Sequence, residues 1–211
     1  MQNDDLKRLL EQMSLVESLQ GHAAAGKIPV VGKSTGYFLG FMVRLARPGN
    51  ILEIGCGNGF SSYFIGRNMP GVSSYTGIDL NRQRLEDARE LIDSHFPDSD
   101  CRFICGNALQ VVPELSLTFD LVFIDAAKFE YPGYLEAVKG KIKKGSIIIA
   151  DDIFCKKKLF LKNVPKHYKN SVRGLKKYLE STGPGTGFNT ELLDADGGLA
   201  VSIYGKDWSL G

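Results

Sequence analysis

A chain of 211 residues, 43% hydrophobic and 24% charged, has the size and composition of one globular domain with room for a large core. A net charge of +2 excludes a partner selected by overall charge, and no apolar run reaches the roughly 18–20 residues that cross a bilayer. The four cysteines, at 56, 101, 105 and 155, form no C-x-x-C pair and read as reduced, mostly buried thiols of a cytoplasmic protein.

The chain opens with MQNDDLKRLLEQM, charged and helical rather than a signal peptide. Residues 4–20 read as an amphipathic helix, with Leu6, Leu9, Leu10, Met13, Val16 and Leu19 at helical spacing. Residues 21–33 hold three glycines and a proline and read as a loop, and a second helix over 34–46 takes Ser34 or Thr35 as its cap. From residue 50 strands and helices alternate. Strands are predicted at 50–55, 74–79, 101–105, 119–125 and 145–151, with helices near 60–68, 82–95, 108–115 and 131–141. A helix near 170–181 follows, then two apolar runs, 188–194 and 198–204, joined by the turn sequence DADGG. The expected fold is α/β: a doubly wound, mostly parallel seven-stranded sheet of Rossmann type, with an antiparallel C-terminal hairpin and helices on both faces. Residues 1–48 form a helical extension packed on a domain spanning 49–211.

Three aspartates dominate the chemistry. Asp125 closes the apolar run FDLVFID, and Asp151 and Asp152 close SIIIADD. Ligands of open α/β sheets bind at the carboxyl ends of the strands, where three carboxylates repel one another unless a cation sits between them. A divalent ion preferring oxygen suits that arrangement; ordinary strand-end or helix-capping acids are the alternative. Residues 156–177 carry eight lysines and one arginine with no acid, which leaves the rest of the chain at −7. That stretch is either a solvated helix face or a landing site for an anionic substrate, such as a nucleic acid or a phosphate-bearing coenzyme ester.

The segment ILEIGCGNGFS places Glu53 before glycines 55, 57 and 59, a G-x-G-x-G loop between strand and helix. Phe60 stands where a dinucleotide fingerprint has its last glycine, which disfavours an NAD-dependent dehydrogenase. Asp79 ends the next strand, where an acid can take both ribose hydroxyls of a nucleoside. Asn107 and Ala108 follow the third strand, placed to meet an adenine ring.

Together, E-x-G-x-G-x-G, the Asp79 of YTGID, FIDAAKFEYPGYL and IIIADDIF resemble class I S-adenosylmethionine (SAM) methyltransferases. The closer resemblance, over residues 28–205, is to metal-dependent O-methyltransferases of the catechol and caffeoyl-CoA type, with their small bacterial relatives, some of which modify tRNA. It implies that Glu53, Gly55, Gly57 and Ser61 line the methionine end of SAM, with backbone from Val31 closing over it. It implies that Asp79 holds the ribose, Asn107 and Ala108 flank the adenine, and Tyr134 faces the cofactor. Asp125, Asp151 and Asp152 would bind Mg²⁺, with Mn²⁺ or Ca²⁺ as alternatives, and Asp125 and Lys128 would stand at the reacting hydroxyl. Lys128 would act as a neutral amine taking the proton or as an ammonium stabilising the oxygen. The chain departs from that family at Asp152, usually Asn, at Ala127, usually an acid, and at Asn107, usually Asp.

The expected function is therefore methyl transfer from SAM to a hydroxyl of a catechol-like or CoA-ester acceptor, assisted by a metal. A tRNA acceptor held by 156–177, or a SAM-binding protein without transferase activity, are the alternatives. Relatives of this kind are often dimers, so residues 4–20 form either a homodimer contact or a cover over the site.

Overall fold

The computed structural model describes residues 3–26 and 28–205. Two helices, α1 (Asn3–Ala25) and α2 (Lys33–Ala46), precede the alternating region. That region runs β1 (Asn50–Ile54), α3 (Phe60–Asn68), β2 (Ser74–Asp79), α4 (Arg82–His95), β3 (Asp100–Cys105), α5 (Ala108–Glu114), β4 (Phe119–Ile124), α6 (Tyr131–Lys139) and β5 (Ile142–Ala150). Then come α7 (Lys169–Thr182), β6 (Phe188–Leu193) and β7 (Leu199–Tyr204). The seven strands lie in the order β3-β2-β1-β4-β5-β7-β6. The first five are parallel, and β7 runs antiparallel between β5 and β6, as expected.

The strands are apolar on both faces because both faces are covered. Leu52 and Ile54 of β1 and Val122 and Ile124 of β4 pack with Val112, Leu135 and Leu175 from α5, α6 and α7. Their alternating neighbours Ile51, Leu121 and Phe123 pack on the other side with Leu39, Phe64 and Ala88 from α2, α3 and α4. Fully burying a side chain such as Phe123 stabilises by about 1.5–3 kcal/mol, so the paired clusters dominate folding. The order reverses between β1 and β4, which opens a crevice at their carboxyl ends.

Three local expectations are corrected. Residues 21–25 continue α1, because three consecutive alanines sustain the helix past Gly21. Lys27, within the expected loop, and the side chains of Leu6 and Leu9 lie outside the described residues. Ser34 and Thr35 are not caps: α2 starts one residue earlier behind Gly32 and has no side-chain cap of its own. β5 begins at Ile142 rather than 145, with an irregularity bridged by Ser146, whose hydroxyl donates to the Phe119 carbonyl at 2.8 Å.

Candidate functional site

The carboxyl ends of β1, β2, β4 and β5 border a cleft of about 820 Å³, within the range of small-molecule sites. Its floor is the glycine loop after β1. Gly55 has φ +90°, and a Cβ there would lie 2.1 Å from the Asp125 carbonyl oxygen, so only glycine lets β1 and β4 approach this closely. Gly59 has φ +86° and meets α4 at Ala88, where a Cβ would stand 2.9 Å from Cα. At Gly57 a Cβ would meet nothing within 4 Å; its bare backbone faces open cleft and its N–H donates to Asp79 Oδ2 at 2.9 Å. The other oxygen of Asp79 accepts from the Asn81 N–H at 2.8 Å. Two backbone donors thus fix this carboxylate while leaving lone pairs for ribose hydroxyls.

Asn107, Ala108 and Tyr134 also line the cleft, where the resemblance places adenine and cofactor. Asn107 has a second task as the N-cap of α5: its Oδ1 accepts from the Leu109 N–H at 2.9 Å, which leaves its amide N–H₂ to meet a ligand. Tyr134 donates to Glu130 at 2.6 Å, and burial holds its hydroxyl above the ordinary tyrosine range. Val31 stands in the front wall, in loop 28–32, with its side chain packed into the core.

Glu53 and Ser61 sit directly behind the glycine loop, hydrogen-bonded to each other. Glu53 is fully buried and neither residue lines the cleft. Strand alternation turns Glu53 to the same side as Ile51, toward α3 rather than the strand end. There its carboxylate accepts from the hydroxyls of Ser61, Ser62 and Tyr75. Burial raises its pKa, and the three hydroxyl bonds oppose that rise. The four side chains tie β1, β2 and α3 together directly behind the glycine loop.

The three aspartates occupy the opposite end of the cleft with Lys128. Lys128 Nζ donates to Asp125 Oδ1 at 2.9 Å and to Tyr131 Oη at 2.8 Å. Tyr131 in turn donates to the carbonyls of Ile124 and Asp151, at 3.1 and 2.9 Å, so one buried phenol braces both strand ends. Burial pulls the Lys128 pKa down, but Tyr131 and Asp125 outweigh it and hold the amine above the ordinary lysine range. The 2.9 Å ion pair with Asp125 fits the charged form of this lysine. Asp151 is 6% exposed, and burial, then the neighbouring Asp125, push its carboxyl up to about 7, with Lys128 opposing. Asp152, at φ +48°, is likewise raised by burial.

Oxygen donors suit a hard divalent cation, but these side chains are not arranged as its ligands. Among the described residues no group of three His, Cys, Asp or Glu stands close enough to hold a metal ion. Asp125 is engaged by Lys128, Asp151 Oδ1 accepts from the Thr35 hydroxyl at 3.3 Å, and Asp152 Oδ1 accepts from the Lys156 N–H at 3.2 Å. Lys128 places a positive charge against Asp125, and the residues as they stand do not fit a three-aspartate metal centre.

Arg84, Glu130, Asp196 and Gly197 line the cleft without a functional reading in the sequence, whereas Lys156 belongs to the stretch read as an anionic landing site. Arg84 and Glu130 flank the Asp79 end, and Lys156 brings the first lysine of the basic stretch to the cleft itself. Asp196 and Gly197, in a segment legible only as a hairpin turn, complete the wall beside Asp152.

A doubly wound sheet with a glycine loop, a fixed acid at the end of β2 and a charged group at the ends of β4 and β5 defines a nucleoside-cofactor transferase of the methyltransferase fold. The sequence profile of the O-methyltransferase family matches residues 5–182, and the chain belongs to that family. It is 25% identical over 203 residues, 92% of this chain and 90% of the relative, to a catechol O-methyltransferase of Niastella koreensis. A caffeoyl-CoA O-methyltransferase of Stellaria longipes is 27% identical over 123 residues, but the match spans only 51% of that protein and 56% of this chain. Among solved structures, the Bacillus cereus O-methyltransferase in complex with S-adenosylhomocysteine superposes with a TM-score of 0.80 at 24% identity, covering 90% of each chain. The expected fold and an enzyme of the O-methyltransferase class are therefore borne out. No helix among the described residues is long and apolar enough to cross a membrane.

Proposed function

We propose that this enzyme transfers the methyl group of SAM to a hydroxyl of a small catechol-like acceptor. The observation that carries this reading is one continuous cleft. It runs from Asp79, Asn107 and Tyr134, over the bare backbone of Gly57, to Lys128 and the strand-end aspartates. SAM, when bound, supplies an activated sulfonium methyl, so the protein has only to hold, orient and polarise. Asp79 receives the ribose hydroxyls, the free amide of Asn107 meets the adenine edge, and the glycine loop and loop 28–32 enclose the methionine portion. Glu53 and Ser61 support that loop from behind rather than touching the cofactor. The acceptor hydroxyl releases its proton to solvent on entering the cleft. Lys128, buried and charged, donates to the resulting oxyanion while Asp125 and Tyr131 fix the direction of the ammonium. That oxygen forms its bond to the methyl carbon as the S–CH₃ bond breaks and neutral S-adenosylhomocysteine leaves.

No step is routed through a metal, because the three aspartates do not form a ligand group. A CoA-ester acceptor is favoured by one observation, that Lys156 joins the lysine-rich stretch to the cleft, offering charge for a phosphate-bearing handle. A homodimer belongs to the same reading, supported by apolar Leu10, Met13, Phe41 and Leu45 exposed on α1 and α2.

The test joins calorimetry with SAM to a methyl-transfer assay on catechol, in chelator and again with Mg²⁺. Micromolar SAM binding with turnover that survives exhaustive chelation supports the proposal. Absence of SAM binding overturns it altogether. Strict dependence on added Mg²⁺ overturns the metal-free part and means that the aspartates regroup when the ion binds.

A further inference from the structure

The turn between β6 and β7 is far in sequence from the glycine loop, yet it touches both sides of the cleft. It closes on itself through the Gly198 N–H, which donates to the Ala195 carbonyl at 2.7 Å. Asp196 sits at φ +51°, a left-handed conformation that few residues other than Gly, Asn and Asp accept. That conformation turns its carboxylate toward α2, where Oδ2 accepts from the Thr35 N–H at 2.8 Å. Helix α2 has no side-chain cap of its own and no acid in its first turn. Asp196 therefore supplies, from 161 residues away, both an acceptor for an orphan N–H and a negative charge at the positive end of the helix. The carboxylate lies so close over Gly32 that a Cβ there would stand 2.1 Å from Asp196 Cγ.

The other side of the turn is held as firmly. The N–H groups of Ile153 and Phe154 donate to the carbonyls of Gly198 and Gly197, each at 3.0 Å. Gly197 leaves room for Asp152, whose Oδ1 would lie 2.5 Å from any Cβ at that position. Thr35 completes the link: it is fully buried, its N–H is on Asp196, and its hydroxyl is on Asp151. The same turn thus grips loop 28–32 with α2 on one side and the segment after the paired aspartates on the other.

We propose that Asp196 is a positioning residue: through Thr35 and Gly32 it clasps loop 28–32 over the cofactor and fixes the width of the acceptor end of the cleft. The proposal rests on the SAM-dependent reading above. What the clasp needs is an oxygen that accepts the Thr35 N–H. Asparagine provides that oxygen and alanine does not, and a residue acting by charge or by direct contact with the acceptor would separate the variants differently.

The experiment compares wild type, Asp196→Ala, Asp196→Asn, Gly32→Ala and the Asp196→Ala/Gly32→Ala double variant, with circular dichroism as the check on folding. SAM affinity by calorimetry, KM and kcat, and hydrogen exchange at the Thr35 amide are the readouts. The expected result is about tenfold weaker SAM binding in Asp196→Ala with Thr35 exchange accelerated at least tenfold. Asp196→Asn stays within about threefold of wild type in both. Gly32→Ala, which drives a methyl into the carboxylate, reproduces Asp196→Ala, and the double variant is no worse than either because both break one coupled contact. The clasp is overturned by unchanged Thr35 exchange in Asp196→Ala, by Asp196→Asn as impaired as Asp196→Ala, or by additive losses in the double variant. A wild type that fails to bind SAM instead removes the functional reading, and Thr35 exchange still decides whether the clasp exists.

Discussion

Replacing Asp151 by Asn should stabilise the protein above neutral pH while damaging its activity. Asp151 is buried, faces Asp125, and has its carboxyl raised from 3.8 to about 7. A group whose pKa is higher in the folded state favours folding at low pH, and that contribution is lost as pH rises toward the folded pKa. Between pH 5 and pH 8 the loss from these two pKa values is about 2.5 kcal/mol, at about 1.4 kcal/mol per tenfold in proton affinity. Local relaxation around Lys128 and Thr35 reduces it, so a measured loss of about 1–2.5 kcal/mol is expected. Asparagine keeps an oxygen for the Thr35 hydroxyl but carries no charge, so Asp151→Asn removes this slope. Urea unfolding of both proteins at pH 5 and pH 8, in chelator and without SAM, measures it. The difference in stability, variant minus wild type, should grow by that amount from pH 5 to pH 8. Parallel pH profiles for the two proteins, or a variant less stable at pH 8, would refute the argument that acids are held at the strand ends against their own repulsion. Turnover of the variant should fall at both pH values, a trade of function for stability.

Three further outcomes follow from the site. Lys128→Ala should lower kcat about 100-fold or more while the SAM dissociation constant moves less than about threefold, since the ammonium is placed at the acceptor; single-turnover kinetics beside calorimetry separate the two, and loss of SAM binding would contradict that placement. Tyr75→Phe removes one of three donors to the fully buried Glu53 and should lower stability by about 1–3 kcal/mol in denaturant unfolding. It should also weaken SAM binding through the glycine loop, and unchanged affinity would mean that this network does not support the loop. Gly55→Ala forces a Cβ to within 2.1 Å of the Asp125 carbonyl at a φ of +90°, and its SAM affinity should be abolished; a folded variant that still titrates with SAM would disprove the close approach.

The parts of the molecule legible in the sequence are those whose signals are local. Apolar runs of five to seven residues, separated by amphipathic helices or, for the last pair, a turn, mark all seven strands, because a sheet covered on both faces needs its central strands apolar throughout. The glycine loop, Asp79, Lys128 and the strand-end aspartates reach the cleft for the same reason: strand ends in a doubly wound sheet converge on its crevice. The placement of Glu53 behind the glycine loop was legible in part. A period of two puts it with Ile51, facing α3, and its count back from the glycine loop gave no hint of Ser62 or Tyr75 as partners. Asn107 shows the reverse: its N-cap role follows from residue type alone, and capping still leaves its amide free for a ligand.

What could not be read are the contacts that join distant segments. Ser34 and Thr35 look like self-sufficient caps, so nothing in their neighbourhood asks for a carboxylate from elsewhere; only β7, inserted between β5 and β6, carries the DADGG turn over the cleft to meet them. The same limit applies to the charge balance. Three aspartates at two strand ends call for a cation, and sequence spacing cannot tell a bound ion from a side chain that folds back. In the structure Lys128, three residues past Asp125 on the short turn that opens α6, reaches back to Asp125 at 2.9 Å and is held there by Tyr131. Lys128 takes only Oδ1 of Asp125 and leaves the second carboxylate oxygen to the cleft. A metal entering here would share that carboxylate with the ammonium, so the two charges would act on one acceptor oxygen rather than replace each other.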